Sequence, residues 1–286
     1  MKKQIFGLMA LILGACISFT ACSDDDDDDN QNEDLWVGNL ENAKYEADAV
    51  AFDINGSSEI SFIELTSSGN YIVLPASSYT NYSGRSCASD ERHSFLKSVI
   101  TPVSRSGEFH KFGKFSKTGQ NEFMLENFGR LVINSGNNLD LYLTNGEHRQ
   151  LNGTRRNKME STALNDRFCR SWKLQHIIEQ ELDANGKVVS SHECSTPEEL
   201  REDYIMLFVM SKAKTFLQID WDNTFDDFGE WKWLDESQQI FAYRWNDDPD
   251  FSGYISVKFN GNKCILTEEY KEEYTGYRTV ATCIAI

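Results

Sequence analysis

The chain has 286 residues, enough for one large domain or two small ones with real cores. It carries 28 Lys and Arg against 45 Asp and Glu, a formal charge of −17, which argues against binding nucleic acid or anionic lipid through a basic surface. With 40% hydrophobic residues, 12% aromatics and only 4 Pro it is neither a disordered chain nor a Pro-rich linker.

The N-terminus is laid out as a secretory signal peptide. Lys2 and Lys3 precede an apolar run from Ile5 to Leu13, and small residues succeed it. The run is too short for a permanent transmembrane helix, and no later segment is apolar enough to be one. Leu13-Gly14-Ala15-Cys16 and Phe19-Thr20-Ala21-Cys22 both resemble a bacterial lipobox, whose cysteine becomes the lipidated first residue of the mature protein. The residues on the C-terminal side of Cys22 favour it over Cys16. They are Ser23, then Asp24 to Asp29, then Asn30-Gln31-Asn32-Glu33-Asp34, a solvated tether. Cys16 would instead leave apolar Ile17 and Phe19 at the start of the tether. The expectation is therefore a signal peptide over 1–21, lipidation at Cys22 and an acidic tether over 22–34. An acidic run placed directly after the lipidated cysteine resembles surface lipoproteins of Bacteroidota. That resemblance implies the outer face of the outer membrane, with the acyl chains contributing about 0.8 kcal/mol per buried methylene.

From Leu35 onward, period-two alternation is cut by turn signals at Asn55-Gly56, Ser68-Gly69-Asn70, Asn145-Gly146, Asn185-Gly186, Asn260-Gly261 and Thr275-Gly276. Strands are predicted over 60–65, 71–74, 122–125, 131–133 and 139–143. In the second half they are predicted over 172–182, 188–191, 204–209, 215–221, 230–234, 240–245, 254–259, 264–270 and 278–284. Thr196-Pro197-Glu198-Glu199 reads as a capping box opening a short helix that could cover one end of a barrel.

The two halves resemble each other in order. Residues 59–65 with 69–74 match 203–208 with 214–217, 113–117 match 229–233, 129–133 match 253–257, and 141–144 match 264–267. The first half carries an extra stretch, roughly 75–108. Asn152-Gly153-Thr154-Arg155-Arg156-Asn157-Lys158 reads as a polar linker, so the domains are placed at 35–158 and 159–286.

Alternation puts Trp231 with Trp233 on one face, Phe241 with Tyr243 and Trp245 on another, and Leu217 with Ile219 and Trp221 on a third, opposite Phe216 and Gln218. These aromatic faces are expected to point into a common core. Closing such a sheet removes its edges, and a barrel of about eight strands either fills itself or holds one small ligand. The predicted class is thus all-β, with two antiparallel meander domains.

Phe168 to Leu174, with its Trp172, is similar to the opening Trp segment of lipocalins. Asp183-Ala184-Asn185-Gly186 is similar to their first hairpin turn, and Gly229-Glu230-Trp231-Lys232-Trp233 to their central Gly-x-Trp strand. On these residues the second half resembles the lipocalin-like domains common in Bacteroidota lipoproteins. Arg170 is a departure, because lipocalins usually carry Gly there. The resemblance implies a lipocalin-like barrel, and the internal match extends that expectation to the first half.

Setting aside Cys16 and Cys22, the cysteines are Cys87, Cys169, Cys194, Cys264 and Cys283. A hairpin turning near Glu273-Tyr274 places Cys264 opposite Cys283. Cys169 would then pair with Cys194 and Cys87 would stand alone. Pairing of Cys169 with Cys283, and buried free thiols throughout, remain open alternatives.

The chain has no G-x-S-x-G, H-E-x-x-H, P-loop or Rossmann glycine pattern. His192-Glu193-Cys194 lies in a polar stretch, and Asp220 to Asp227 lacks the Gly and Glu of a calcium loop. No catalytic residue, metal ligand or cofactor is assigned. The candidate binding residues are Trp221, Trp231, Trp233, Tyr243 and Trp245, which either line a pocket for an apolar ligand or a sugar ring, or simply fill the core. The leading expectation is a non-catalytic envelope lipoprotein that binds a small apolar ligand, a glycan or an envelope protein. A carbohydrate-active hydrolase and a structural or adhesion component are the alternatives.

Overall fold

The computed structural model describes residues 44–76, 94–97, 111–223, 225–245, 248–271 and 275–286. The expected signal peptide, Cys22, the tether and Cys87 lie outside the described residues. The chain forms two closed eight-stranded antiparallel barrels in meander order, the lipocalin-like architecture.

The first barrel comprises β1 (Val50–Asn55), β2 (Ile60–Leu65), β3 (Asn70–Pro75), β4 (Lys111–Gly119), β5 (Glu122–Leu125), β6 (Gly129–Ile133), β7 (Asn138–Leu143) and β8 (His148–Arg155). Each strand pairs with the next, and β8 returns to β1 with Phe52 opposite Arg155 and Ile54 opposite Gly153. Its interior is filled by Phe52, Ile63, Val73, Phe115, Phe123, Leu131 and Leu141, among others. Residues 152–155, expected as linker, are instead the second half of β8. Their polar side chains face solvent, so apolar content gave no strand signal, and Gly153 lies beneath the ring of Phe52.

The second barrel opens with helix α1 (Ala163–Phe168), followed by β9 (Ser171–Asp183), β10 (Val188–Cys194), helix α2 (Pro197–Asp203) and β11 (Leu207–Met210). It continues through β12 (Thr215–Ile219), β13 (Phe225–Asp235), β14 (Ile240–Trp245), β15 (Gly253–Asn260), β16 (Lys263–Lys271) and β17 (Thr275–Ala285). Strand β9 pairs with β17 over most of its length. Its other edge pairs with β11 at 171–173 and with β10 at 177–182. The barrel proper is therefore β9 with β11 to β17, and β10 extends the long strand beyond it. The capping box of α2 forms as expected, with Thr196 and Glu199 bonding reciprocally. Tyr204 caps that helix rather than opening a strand. Thr275-Gly276, read as a turn, belongs to β17, where Gly276 pairs with Lys271.

The matched segments of the two halves occupy the same ordinal places in their barrels. One shared device is visible at atomic detail. Tyr71 of β3 faces Gly113 of β4, and Phe216 of β12 faces Gly229 of β13. A Cβ at Gly113 would stand 2.8 Å from the Tyr71 ring, and one at Gly229 would stand 2.4 Å from the Phe216 ring. In both barrels, glycine leaves room for an aromatic ring to fold across its neighbouring strand.

The barrels are joined by a core of their own. Ala51, Phe62, Ile72 and Leu74 from the outside of the first meet Leu207, Val209, Leu217, Ile219 and Phe228 from the outside of the second. This corrects the expected facing of β12. Leu217 and Ile219 point to the neighbouring barrel, while Phe216 and Gln218 point inward. Strands β3, β11 and β12 are buried on both faces, so their apolar runs lose the alternation that marks a half-exposed strand. Polar groups complete the seam. Glu64 accepts from Thr215 at 2.5 Å, Arg156 bonds Asp53 and Glu230, and Asn70 donates to Ser171 at 2.9 Å. Lys212, 3% exposed, pairs with Glu46 and Asp166 at 2.6 Å each. Burial works against its charge, but the two carboxylates outweigh burial and its pKa is raised.

Candidate functional site

The interior of the second barrel is filled from two ends. At one end α1 inserts Phe168, whose ring lies 5.2 Å from those of Trp231, Trp233 and Phe241. The indole N–H groups here are all used. Trp172 donates to the carbonyl of Phe168, Trp231 to that of Ser211, and Trp233 to the side chain of Asn165. Rings fixed on both face and edge in this way form a permanent core. Of the five expected binding residues, Trp231 and Trp233 thus belong to this closed end.

At the other end the chain brings in a segment that belongs to the first barrel. Residues 94–97 come from the connection between β3 and β4, and Phe95 is fully buried inside the second barrel. Its ring lies 5.0 Å from those of Phe216 and Tyr243, 5.5 Å from Phe208 and 5.8 Å from Phe241, and it stacks on Trp245 at 6.4 Å. Tyr243 and Trp245 therefore line this end. Trp221 packs at the edge of the same core and donates to the carbonyl of Tyr204 at 3.0 Å.

The cup has a polar floor. Glu268 Oε2 accepts from Ser94 Oγ at 2.6 Å and from the Phe95 N–H at 3.0 Å, while Oε1 accepts from the Tyr243 hydroxyl at 2.6 Å. Glu268 is partly buried as a residue, and burial of its carboxyl raises its pKa against the three hydrogen bonds that lower it. Burial beside the Glu268 carboxylate likewise pushes the Tyr243 hydroxyl well up. Gln218 Nε2 donates to the Phe95 carbonyl, and Gln218 Oε1 is buried with no hydrogen-bond partner among the described residues. The rim is held by Ile205 N–H donating to the Leu96 carbonyl at 3.1 Å and by Lys97 pairing with Glu179 at 3.1 Å.

No protein-family model matches this chain, and no curated protein matches it either. The site is consequently read from its own chemistry.

Sequence reasoning missed Phe208, Phe216, Gln218, Glu268 and Phe95. The signal for Glu268 was present: Cys264 and Leu266 are inward, so period two makes Glu268 an inward-pointing acid. Phe95-Leu96 is one of two apolar pairs in this stretch, Val99-Ile100 being the other, and nothing local says which of them is buried or in which barrel.

The cysteines fall into two situations. Cys264 and Cys283 face each other across β16 and β17, in the expected register, and both are fully buried. Cys194 stands opposite Ile177 on β9, whereas Cys169 precedes Ser171 at the start of that strand. At roughly 3.3 Å per residue the stretch from Ser171 to Ile177 alone spans about 20 Å, and Cys169 lies before it, well beyond the roughly 7 Å that a disulfide spans between Cα atoms. The structure thus does not bring Cys169 to Cys194. Cys283 lies opposite Leu174, and all four of these cysteines are free thiols. Burial pushes the Cys169 thiol up.

His192 Nε2 contacts Cys194 Sγ at 3.4 Å, while Glu193 pairs with His176 at 2.7 Å. Among the described residues no three His, Cys, Asp or Glu side chains gather into a metal-holding group, and no helix is long and apolar enough to cross a membrane. Among the described residues the two glutamates with raised pKa, Glu64 at the seam and Glu268 in the cup, hydrogen-bond different partners. Open space lies at the junction of the barrels. One cavity of about 20 Å³ is bordered by Glu64, Arg156 and Lys212, and a groove of about 520 Å³ is bordered by Asp53, Arg156, Lys214, Glu230 and Phe251.

Proposed function

We propose that this chain is a non-catalytic binding protein of the cell envelope, moored at the outer membrane surface by a lipid on Cys22, with the aromatic cup of its second barrel as the binding site. One observation carries this reading. The cup accepts a benzyl group from a separate stretch of chain and bonds the neighbouring hydroxyl and amide through Glu268. A buried carboxyl among aromatic rings gives orientation, and the rings give affinity, which is the division of labour in small-ligand sites. The ligand is accordingly an aromatic group with hydrogen-bond donors beside it. Lipidation at Cys22 is supported by the lipobox-like residues and by the acidic tether on their C-terminal side.

Two measurements test the reading. Phe95→Ala removes the benzyl group from the cup, and that variant should bind N-acetylphenylalaninamide with a change in tryptophan emission that Glu268→Ala abolishes. An unchanged emission over the solubility range contradicts it. Metabolic palmitate labelling should be lost in Cys22→Ser, whereas retained labelling moves the anchor to Cys16.

A further inference from the structure

Residues 94–97 are seated in the second barrel without being part of it. All eight strands of that barrel close through their own ladders, β9 with β17 and β9 with β11 included. The segment joins no strand of the barrel. Among the described residues its one backbone bridge is Lys97 with Tyr204, beyond the end of α2. Its other contacts are of the kind a bound peptide makes. A hydroxyl and an amide meet a carboxylate, a carbonyl meets an amide side chain, a benzyl group fills an aromatic cup, and a cation meets Glu179 at the rim.

The fit is also incomplete. Gln218 is fully buried, yet among the described residues its Oε1 receives no hydrogen bond while residues 94–97 occupy the cup. A buried amide oxygen left without a donor costs free energy, so the cup offers one more polar contact than its present occupant uses.

We propose that residues 94–97 are an intramolecular stand-in for a peptide ligand: the cup binds protein segments that read hydroxyl, aromatic, aliphatic, basic, and the chain's own Ser94-Phe95-Leu96-Lys97 competes with them. This deepens, and rests on, the assignment of the cup as the binding site. A partner segment gains access when the chain's own segment leaves, so the observed affinity is reduced by the fraction of molecules in which the cup is filled in cis. The occupant is a peptide rather than a free hydrocarbon or a sugar because the segment is held at three main-chain atoms. The Phe95 N–H, the Phe95 carbonyl and the Leu96 carbonyl are each bonded.

The test uses the full chain and two probes, acetyl-Ser-Phe-Leu-Lys-amide and its Phe→Ala counterpart. The Phe95→Ala variant should bind the first at least tenfold more tightly than the wild type does, and neither protein should bind the second. Equal binding by wild type and variant, or none by either, overturns the proposal. Should Phe95→Ala fail to fold, hydrogen exchange on the wild type decides. The Phe95 amide should exchange at least tenfold faster than the β14 amides beside it, and faster again with the first peptide added. Exchange as slow as in β14, unmoved by peptide, overturns the proposal. The outcomes separate the two readings, because a variant that binds N-acetylphenylalaninamide while the wild-type Phe95 amide never opens leaves the binding site standing and removes the competition.

Discussion

The main-chain N–H of Phe95, from the first barrel's β3–β4 connection, donates at 3.0 Å to the carboxyl of Glu268 inside the second barrel. This bond ties the first barrel's connection into the interior of the second. The first barrel is packed with its own side chains, and its long connection supplies what fills the open end of the second.

Glu268 gives the chain a pH signature. Burial raises its pKa above the ordinary 4.5. A raised folded-state pKa contributes stability that is fully present below the unfolded value and is lost as pH rises through the folded one. The wild type should therefore lose stability relative to Glu268→Gln as pH climbs from about 4.5 toward neutrality, with the two nearly equal at the acid end. Urea unfolding of both proteins across that range checks this, and parallel curves contradict it. Glu64, raised by burial at the seam, should behave in the same direction.

The seam between the barrels should couple their unfolding. Leu217 is fully buried in the shared apolar layer. Leu217→Ala is expected to cost about 2–5 kcal/mol. Leu217→Asp, which places an unpaired charge there, should cost more and uncouple the halves. Scanning calorimetry should show one transition for the wild type and two for Leu217→Asp. A single transition at the same temperature in both proteins would be contrary.

The two ring-over-glycine positions should differ in tolerance. A Cβ at Gly229 meets the Arg244 carbonyl at 2.2 Å, a backbone atom that can move only with its strand. At Gly113 the nearest atom is a Tyr71 ring carbon at 2.8 Å. Gly229→Ala should lose about 3 kcal/mol or more, at the upper end of overpacking costs, and Gly113→Ala about 1–2 kcal/mol. Chemical denaturation of the pair checks the order.

Cys264 and Cys283 are the cysteines whose register suits a cross-strand bond. Both are free thiols in this structure; in protein exposed to an oxidant, peptide mapping should find them joined, with Cys169 and Cys194 unlinked to each other. Loss of that bond in Cys283→Ala should cost about 3 kcal/mol, the scale for a loop of this size. Recovery of a Cys169–Cys194 peptide would be incompatible with β9 as built.

Much of this fold was legible because half-exposed strands advertise themselves. Strands 60–65, 122–125 and 240–245 were read with their observed bounds, and the capping box at Thr196 located α2. The failures have physical causes. The second half of β8 is polar because its outer face is solvated and Gly153 occupies its inner one, so residues 152–155 looked like a linker. Leu217 and Ile219 were assigned inward because a strand buried on both sides gives alternation no way to choose a face. At the site, Tyr243 and Trp245 were visible as inward aromatics. The occupant was not, because the contact of Phe95 with Glu268 spans 173 residues and depends on how two barrels are set side by side.

The seating of Phe95 is most directly tested by nuclear Overhauser effects from its ring protons in the full-length protein. Cross-peaks to the rings of Phe216 and Tyr243, both with centroids 5.0 Å away, are the predicted result. A Phe95 ring that shows contacts only within its own segment, with Glu268 reached by solvent in its place, would contradict the account.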